Sequence, residues 1–372
     1  MKIVIDLTAL ADNFTGIERF AVNITEKLLE KDEINQYILV FKENISERMS
    51  SFCQRRNVKY IILPRKNKLW FYQITLFRKL RSIKADYYLF LAFPAPFFFN
   101  RQGIVNTIHD LGCWDCPESM PLKMAVYFRV LYRRAAKMSR YILTVSEFSK
   151  KRIKEMLKVD ETKISVIYNG IDDGLKRKDF QGNRRNVLEK YGISSDRPYL
   201  LSLATLEPRK NVDLLLKAYN HLVSDGVHMP ELVMAGRVGW KVQKTIKESL
   251  SSEAGNKIIF TGYIEEMDLP IIYSGARCFV FPSKYEGFGL PPLEALYMKA
   301  EVVVSDIEPF RELFSGYVTF FKEGDEADLR HVIEEKCIGR DTIKENLVNN
   351  IDEKYNYENE ADKLRKLMTL WQ

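Results

Sequence analysis

The chain has 372 residues, 46% of them hydrophobic and 29% charged, which excludes a disordered or fibrous protein and suffices for two domains of ordinary size. No run of about eighteen uncharged apolar residues occurs, so no span across a bilayer is expected. The nearest, Tyr87 to Phe99, is broken by Pro94 and Pro96 and reads as a core strand leading into a loop. Five irregularly spaced cysteines, and an N-terminus with no apolar leader or cleavage site, predict free thiols and a cytoplasmic protein. The net charge of +7 is uneven: residues 1–180 carry 32 Lys and Arg against 20 Asp and Glu (+12), whereas residues 181–372 carry 25 against 30 (−5). A basic first half suits an anionic partner such as a membrane surface, a phosphate-bearing substrate or nucleic acid; a solvated basic face has the same composition.

In chain order, "KIVIDL" predicts a strand, "GIERFAVNITEKLLEK" a helix, and "QYILVF" and "VKYIILP" strands. "LWFYQITLFRKLRSIK" predicts a helix, "ADYYLFLA" and "GIVNTIHD" strands, "MPLKMAVYFRVLYRRAAKM" a helix, "RYILTVS" a strand, "EFSKKRIKEMLK" a helix and "KISVIYNG" a strand. Asp172 to Asn186 is charge-rich and reads as a linker, with a hinge role on domain closure. The alternation then restarts with strands "RPYLLSLAT", "ELVMAG", "KIIFTGY", "RCFVFPS" and "EVVVSD". Between them lie helices "NVDLLLKAYNHLVSD", "VGWKVQKTIKESLSS", "DLPIIYSGA" and "PPLEALYMK", and the chain closes with helices. This pattern is α/β: two doubly wound, Rossmann-like domains in tandem, whose ligands bind at the carboxyl ends of the strands.

The candidate site residues cluster at those ends. Gly16 opens the first helix, where a glycine lets backbone approach a ligand and helix amides attract anions. His109 stands at a strand tip, suited to hydrogen bonding or proton transfer, or else to tying down a loop. Arg209 and Lys210 precede an amphipathic helix with Asn211 as its cap; two cations there suit a diphosphate, and a solvated turn is the alternative. In "YEGFGLPPLEA", Glu286 precedes a turn built on Gly287 and Gly289, Pro291 and Pro292 enter a helix, and Glu294 lies in that helix's first turn. Both carboxylates could accept hydrogen bonds from hydroxyl groups in one cleft; dipole compensation is the alternative for Glu294. "CWDC" has zinc-like spacing, but without a second pair it reads as incidental.

The ordered set "TGIERF", "HDLGCWDCPE", "LTVSEFSKKRI", "VIYNGID", "LATLEPRKNVDLLL", "LVMAGR", "IIFTGYI", "FPSKYEGFGLPPLEA" and "VVVSDIEPFREL" resembles the retaining GT-B glycosyltransferases of family 4. The resemblance implies two Rossmann-like domains facing a central cleft. Residues 1–175 would form an acceptor-binding domain, with the helix at about 355–372 packing back on it, and residues 176–354 a nucleotide-sugar-binding domain. It implies that Glu286 binds hydroxyls of the transferred sugar and Glu294 the ribose. Amides around Phe288, Gly289 and Leu290 would face the sugar and phosphates. Arg209 and Lys210 would hold the diphosphate, Gly16 would close over it, and His109 would sit beside the sugar. The chain departs from many relatives in having Thr15 before Gly16, and Thr205 where an arginine often stands.

With no Asp-x-Asp motif at a strand end, no metal and no further cofactor are expected; the nucleotide-sugar is a substrate. The expected activity is transfer of mannose from GDP-mannose to a lipid-linked surface polysaccharide such as an O-antigen. Rhamnosyl, glucosyl, galactosyl and N-acetylglucosaminyl transfer are the alternatives within the family. A nucleotide-sugar epimerase of the same fold would need more acid and base groups. A catalytically silent or nucleic-acid-binding chain would not need Glu286, Glu294, Arg209 and Lys210, so no nucleic-acid partner is expected. The stretches at 64–84 and 127–140 are basic and aromatic, suiting an anionic membrane surface and peripheral attachment, or helices with apolar faces inward and basic faces in water.

Overall fold

The computed structural model describes residues 1–10, 16–64, 71–176, 184–338 and 345–371. Thr15, residues 65–70 of the first basic stretch, and residues 177–183 of the expected linker and hinge lie outside the described residues. The chain divides into two compact units. The first comprises Met1–Trp114, Pro121–Gly170 and Asn356–Gln372; the second comprises Asp115–Met120 and Ile171–Tyr355.

The first unit holds a sheet of seven parallel strands: β1 (Lys2–Asp6), β2 (Gln36–Lys42), β3 (Val58–Leu63), β4 (Tyr87–Phe90), β5 (Ile104–Thr107), β6 (Tyr141–Thr144) and β7 (Ile164–Val166). Their order is β3-β2-β1-β4-β5-β6-β7, so the winding reverses between β1 and β4. The second unit holds six parallel strands: β8 (Tyr199–Leu203), β9 (Glu231–Ala235), β10 (Ile258–Gly262), β11 (Ala276–Phe281), β12 (Glu301–Ser305) and β13 (Thr319–Phe321). Their order is β10-β9-β8-β11-β12-β13, with the reversal between β8 and β11. Central strands such as β1, β11 and β12 are nearly continuous apolar runs because helices cover both their faces. Val4, Val40, Tyr88 and Phe90 meet in the first core, and Leu200, Leu216, Met234, Val280 and Val303 in the second.

The structure departs from the expected elements in several places. Phe71–Leu76 is a π-helical turn leading into a short α-helix, Phe77–Arg81, rather than one regular helix. Both ends of the expected linker are helical, at Asp173–Lys176 and Arg184–Lys190, where Leu175, Val187 and Leu188 are buried despite the charge around them. The strand β13 and the helix Glu308–Phe314 were not foreseen. The helix expected from residue 238 starts only at Gln243. Gly239 donates its N–H to the Leu206 carbonyl, and a Cβ there would lie 2.6 Å from that oxygen, so the chain is pinned before helix can form.

The last helix, Tyr357–Leu370, packs on the first unit, against the helix Gly16–Lys31. Lys31 reaches Asp362 at 3.1 Å and Glu358 at 3.4 Å. Trp371 stacks on Tyr141 with centroids 3.9 Å apart, and Arg140 donates to the Trp371 carbonyl. Gly170 touches the backbone where this helix begins: a Cβ there would lie 2.5 Å from the Tyr357 nitrogen. Because Trp371 is buried, Trp371→Ala should cost about 3 kcal/mol. That is roughly 5–10 °C in the Tm of the first unit, read by thermal unfolding. An unchanged Tm would show that the end of the chain adds nothing to that unit.

Candidate functional site

The second unit gathers its candidate residues at the switch between β8 and β11. After β8 the chain forms a tight turn, Pro208–Lys210, and then Asn211, whose φ of 53° places it in the left-handed region that Asn tolerates better than most residues. The helix Val212–Ser224 follows. Asn211 precedes that helix as expected, but its side chain makes no capping bond; it turns the chain instead. The Lys284 N–H donates to the Arg209 carbonyl at 2.9 Å, which ties the β8 turn to the loop after β11.

That tie brings Lys210, Arg209 and Glu286 together. Glu286 is 6% exposed. Its Oε1 accepts from Lys210 Nζ at 2.5 Å and from Ser283 Oγ at 2.8 Å, and its Oε2 lies 3.4 Å from Arg209 Nη1. Arg209 also reaches Glu207 at 3.2 Å and the Tyr285 carbonyl at 3.4 Å. Lys210 Nζ sits 4.9 Å from the Phe281 ring centre. Burial opposes ionisation of Glu286 most strongly, but the charges of Lys210 and Arg209 and the bonds from Lys210 and Ser283 outweigh it and hold the carboxyl below its ordinary range. Burial, reinforced by the like charge of Arg209, pushes the Lys210 ammonium below its ordinary range against the pull of Glu286. Lys210 is therefore not part of a solvated turn.

The glycine turn has a steric reason. Gly289 has a φ of 96°, and a Cβ there would lie 2.6 Å from Phe310 Cε1. The Phe288 side chain faces inward, edge-on to Phe314 and Tyr355, so only its backbone could serve a ligand. Leu290, also buried, is the first residue of the helix Leu290–Tyr297, with both prolines behind it in the first turn. Glu294 is consequently the fifth helical residue, not a first-turn residue, because the helix starts at Leu290, one residue earlier than expected. That position lies beyond the reach of dipole compensation. Glu294 is 1% exposed, and Tyr273 on the helix Leu269–Gly275 donates to its Oε2 at 2.7 Å.

His109 and Gly16 belong to the first unit. His109 follows β5 and is half-buried, edge-on to Phe20 at 5.1 Å. Its Nε2 lies 2.9 Å from the Leu91 carbonyl, which can only accept, so Nε2 carries the hydrogen and Nδ1 is the acceptor of the neutral ring. Burial outweighs that bond and the nearby Asp110 charge, and lowers the imidazole from its ordinary value. Gly16 is the first residue of its helix, and a Cβ there would meet nothing within 4 Å among the described residues. Among the described residues no group of three or more His, Cys, Asp or Glu could hold a metal. Cys116 lies 3.1 Å from Glu118, and the Cys113 carbonyl accepts from Arg129.

Sequence reasoning missed Ser283, Glu207 and Tyr273, the groups that hold Glu286, Arg209 and Glu294. Ser283, three residues before Glu286 in the same motif, was the one within reach of a local reading.

Residues 183–368, half of the chain, match the family described as Glycosyl transferases group 1, and residues 14–175 match Glycosyltransferase Family 4. O-antigen chain mannosyltransferase B of Escherichia coli is 28% identical over 334 residues, 84% of each chain. O-antigen chain mannosyltransferase RfbU of Salmonella typhimurium is 30% identical over 229 residues, 61% of this chain and 59% of that protein. Among solved structures, Anabaena Alr3699/HepE in complex with UDP-glucose has a TM-score of 0.73 over 99% of both chains at 15% identity, a likeness of fold. The two doubly wound units are those of the GT-B fold, and the chain belongs to the glycosyl transferases group 1, the family-4 glycosyltransferases.

Proposed function

We propose that this glycosyltransferase moves mannose from GDP-mannose to a growing, lipid-linked surface polysaccharide such as an O-antigen, with retention at the anomeric carbon and without a metal. The sugar and acceptor rest on the two O-antigen mannosyltransferases to which the chain is similar. Other sugars of the same family are the alternatives. The acceptor would be met at the cytoplasmic face of a membrane; no described helix is long and apolar enough to cross one.

The observation that carries the reading is the buried Lys210–Glu286–Arg209 cluster at the β8/β11 reversal, where doubly wound sheets bind ligands. In the proposed reaction the bond between the anomeric carbon and the diphosphate oxygen breaks, and its electron pair stays on the diphosphate. Arg209, Lys210 and the amide end of the helix Leu290–Tyr297 stabilise that developing charge. The acceptor oxygen bonds to the anomeric carbon on the same face, and its proton passes to the departing phosphate. Glu286 binds hydroxyls of the transferred sugar, Glu294 the ribose, and Gly16 leaves room for backbone to approach. His109 orients the sugar through neutral Nδ1 and forms no covalent bond. Calorimetric titration with GDP-, UDP-, dTDP- and ADP-sugars, with and without EDTA, tests the donor. Selective binding of GDP-mannose unaffected by EDTA is expected; selective binding of another donor, or dependence on metal, would overturn that part.

The roles separate by substitution. Lys210→Ala should lower kcat/KM by about 100-fold or more, since it removes a donor aimed at transition-state charge. Glu294→Ala should weaken free GDP and GDP-mannose alike, by roughly 10- to 100-fold for lost charge-assisted bonds. Glu286→Gln should weaken GDP-mannose but not GDP, because it removes a sugar contact while releasing Lys210 towards the phosphates. Equal weakening of both ligands by Glu286→Gln would refute a sugar-binding role for Glu286.

The lowered His109 pKa has a pH signature. Below the unfolded value of about 6.5 the unfolded chain takes up a proton that folded His109 resists, so its contribution falls as pH drops through that value towards the folded pKa. Between pH 7.5 and 5.5 the Tm of the wild type should fall further than that of His109→Gln. Parallel pH profiles would mean that the folded imidazole protonates as readily as the unfolded one.

A further inference from the structure

We infer that Asp6 and Tyr72, at the β1/β4 reversal of the first unit, hold a hydroxyl group of the acceptor sugar, with the rings of Tyr127 and Phe93 against its apolar face. The inference rests on the reading of this chain as a transferase with a saccharide acceptor. Doubly wound sheets bind ligands where the strand order reverses, and the first sheet reverses between β1 and β4. Asp6 is the last residue of β1, and Phe93 and Pro94 follow the end of β4. Tyr72 reaches the same place from the π-helical turn Phe71–Leu76, a backbone form that is rare in proteins and frequent at functional sites.

The crevice holds more acceptors than hydrogens. Asp6 is 5% exposed, and Thr8 donates its N–H at 3.0 Å and its hydroxyl at 2.7 Å to Oδ1. That turn accounts for one carboxyl oxygen. Oδ2 lies 3.3 Å from the Tyr72 hydroxyl, which is also 2.8 Å from the Pro94 carbonyl and 3.3 Å from the Phe93 carbonyl. The phenol has one hydrogen for these three oxygens. Its shortest contact is with Pro94, which leaves Oδ2 and the Phe93 carbonyl to accept from another donor. Burial raises the Asp6 carboxyl above its ordinary range against the bonds from Thr8 and Tyr72, so a hydroxyl can either donate to this group or accept from it.

The surroundings select a sugar. Phe93 and Tyr127 are 38% and 41% exposed. Tyr127, on the helix Leu122–Met138, is held at 3.5 Å by Gln73, the residue after Tyr72, and Gln73 also accepts from the Phe97 N–H at 2.8 Å. Exposed rings are thus fixed beside a buried, acceptor-rich group. A phosphate or carboxylate would set acceptor against acceptor. An apolar ligand would bury those oxygens unpaired. A pyranose answers both features, with hydroxyl donors for the oxygens and a C–H face for the rings.

Ligand-observed NMR of the full chain with methyl glycosides of mannose, glucose, galactose, rhamnose and N-acetylglucosamine, at millimolar concentration and with GDP present, tests this. At least one glycoside should bind, and Tyr127→Ala should weaken it roughly fivefold with Tm unchanged. Asp6→Asn, which keeps an oxygen for Thr8 but replaces Oδ2, should weaken it about tenfold or more. In the series of monodeoxy glycosides, removing the hydroxyl that Asp6 holds should cost the wild type roughly tenfold and Asp6→Asn less, a coupling that a purely structural Asp6 would not give. Donor binding is read separately, by titration with GDP-mannose, so its loss bears on the donor reading and not on this subsite. The inference is overturned if no glycoside binds, or if Asp6→Asn and Tyr127→Ala bind it as well as the wild type. It is also overturned if binding is lost in Glu286→Gln and kept in Asp6→Asn, which would place the glycoside in the second unit.

Discussion

The second unit is organised around a carboxylate that has almost no water. Glu286 lies between the ends of two strands adjacent in space but far apart in sequence, and its ionised form depends on Lys210, Arg209 and Ser283. Removing two charges from water costs several kcal/mol each, and their attraction returns this only with good geometry and further hydrogen bonds. Such a pair is a weak reason for stability. It is a strong constraint on position, because displacing either partner leaves the other buried and uncompensated. The backbone bond from Lys284 to the Arg209 carbonyl keeps the two loops in register, so the pair is held by main chain as well as by charge.

The rest of the site is fitted around that constraint. Between Glu286 and the helix there is room for only a short turn, and the chain makes it at Gly289 with a backbone that a Cβ would drive into Phe310. Phe288 anchors the turn by burying its ring on Phe314 and Tyr355, which ties the loop to the core beneath. The two prolines then begin the helix at once, since neither N–H is needed there. Glu294 is carried one turn further in, to where Tyr273 fixes its orientation. Aromatic packing, one obligatory glycine and two prolines set where both carboxylates stand.

Much of this was legible in the sequence because it is local. The apolar runs of β1, β11 and β12 sit where they read, and the helix Gly16–Lys31 matches its pattern residue for residue. What escaped depends on distant partners. Tyr273 is on another helix, and nothing near it in the chain points to Glu294. Val187 and Leu188 are too few to outweigh their charged neighbours by pattern, yet they are buried. The three residues of β13 are too short a run to show a period. Along Leu122–Met138 the apolar residues are readable, but the side they face is not: an apolar pattern shows that a surface exists, and only the structure shows what covers it.

The cluster holds two cations against two carboxylates where the proposed diphosphate would go. Counted at their ordinary charges, Arg209, Lys210, Glu207 and Glu286 sum to zero, so each cation is already paired within the cluster. The Arg209–Glu207 contact, at 3.2 Å and about one-fifth exposed on both sides, is the looser one, and the pairing of Lys210 with Glu286 is the buried one. A half-buried pair is better screened than a dry one, so the Arg209–Glu207 contact is the easier of the two to exchange. A buried one exchanges only when a ligand satisfies both halves together, with an anion for Lys210 and hydroxyl donors for Glu286. A simple phosphate meets the first need and leaves Glu286 with Ser283 and Arg209 alone, whereas a sugar joined to a diphosphate could meet both. On the proposed reading, the cluster would thereby favour the whole nucleotide-sugar over its fragments.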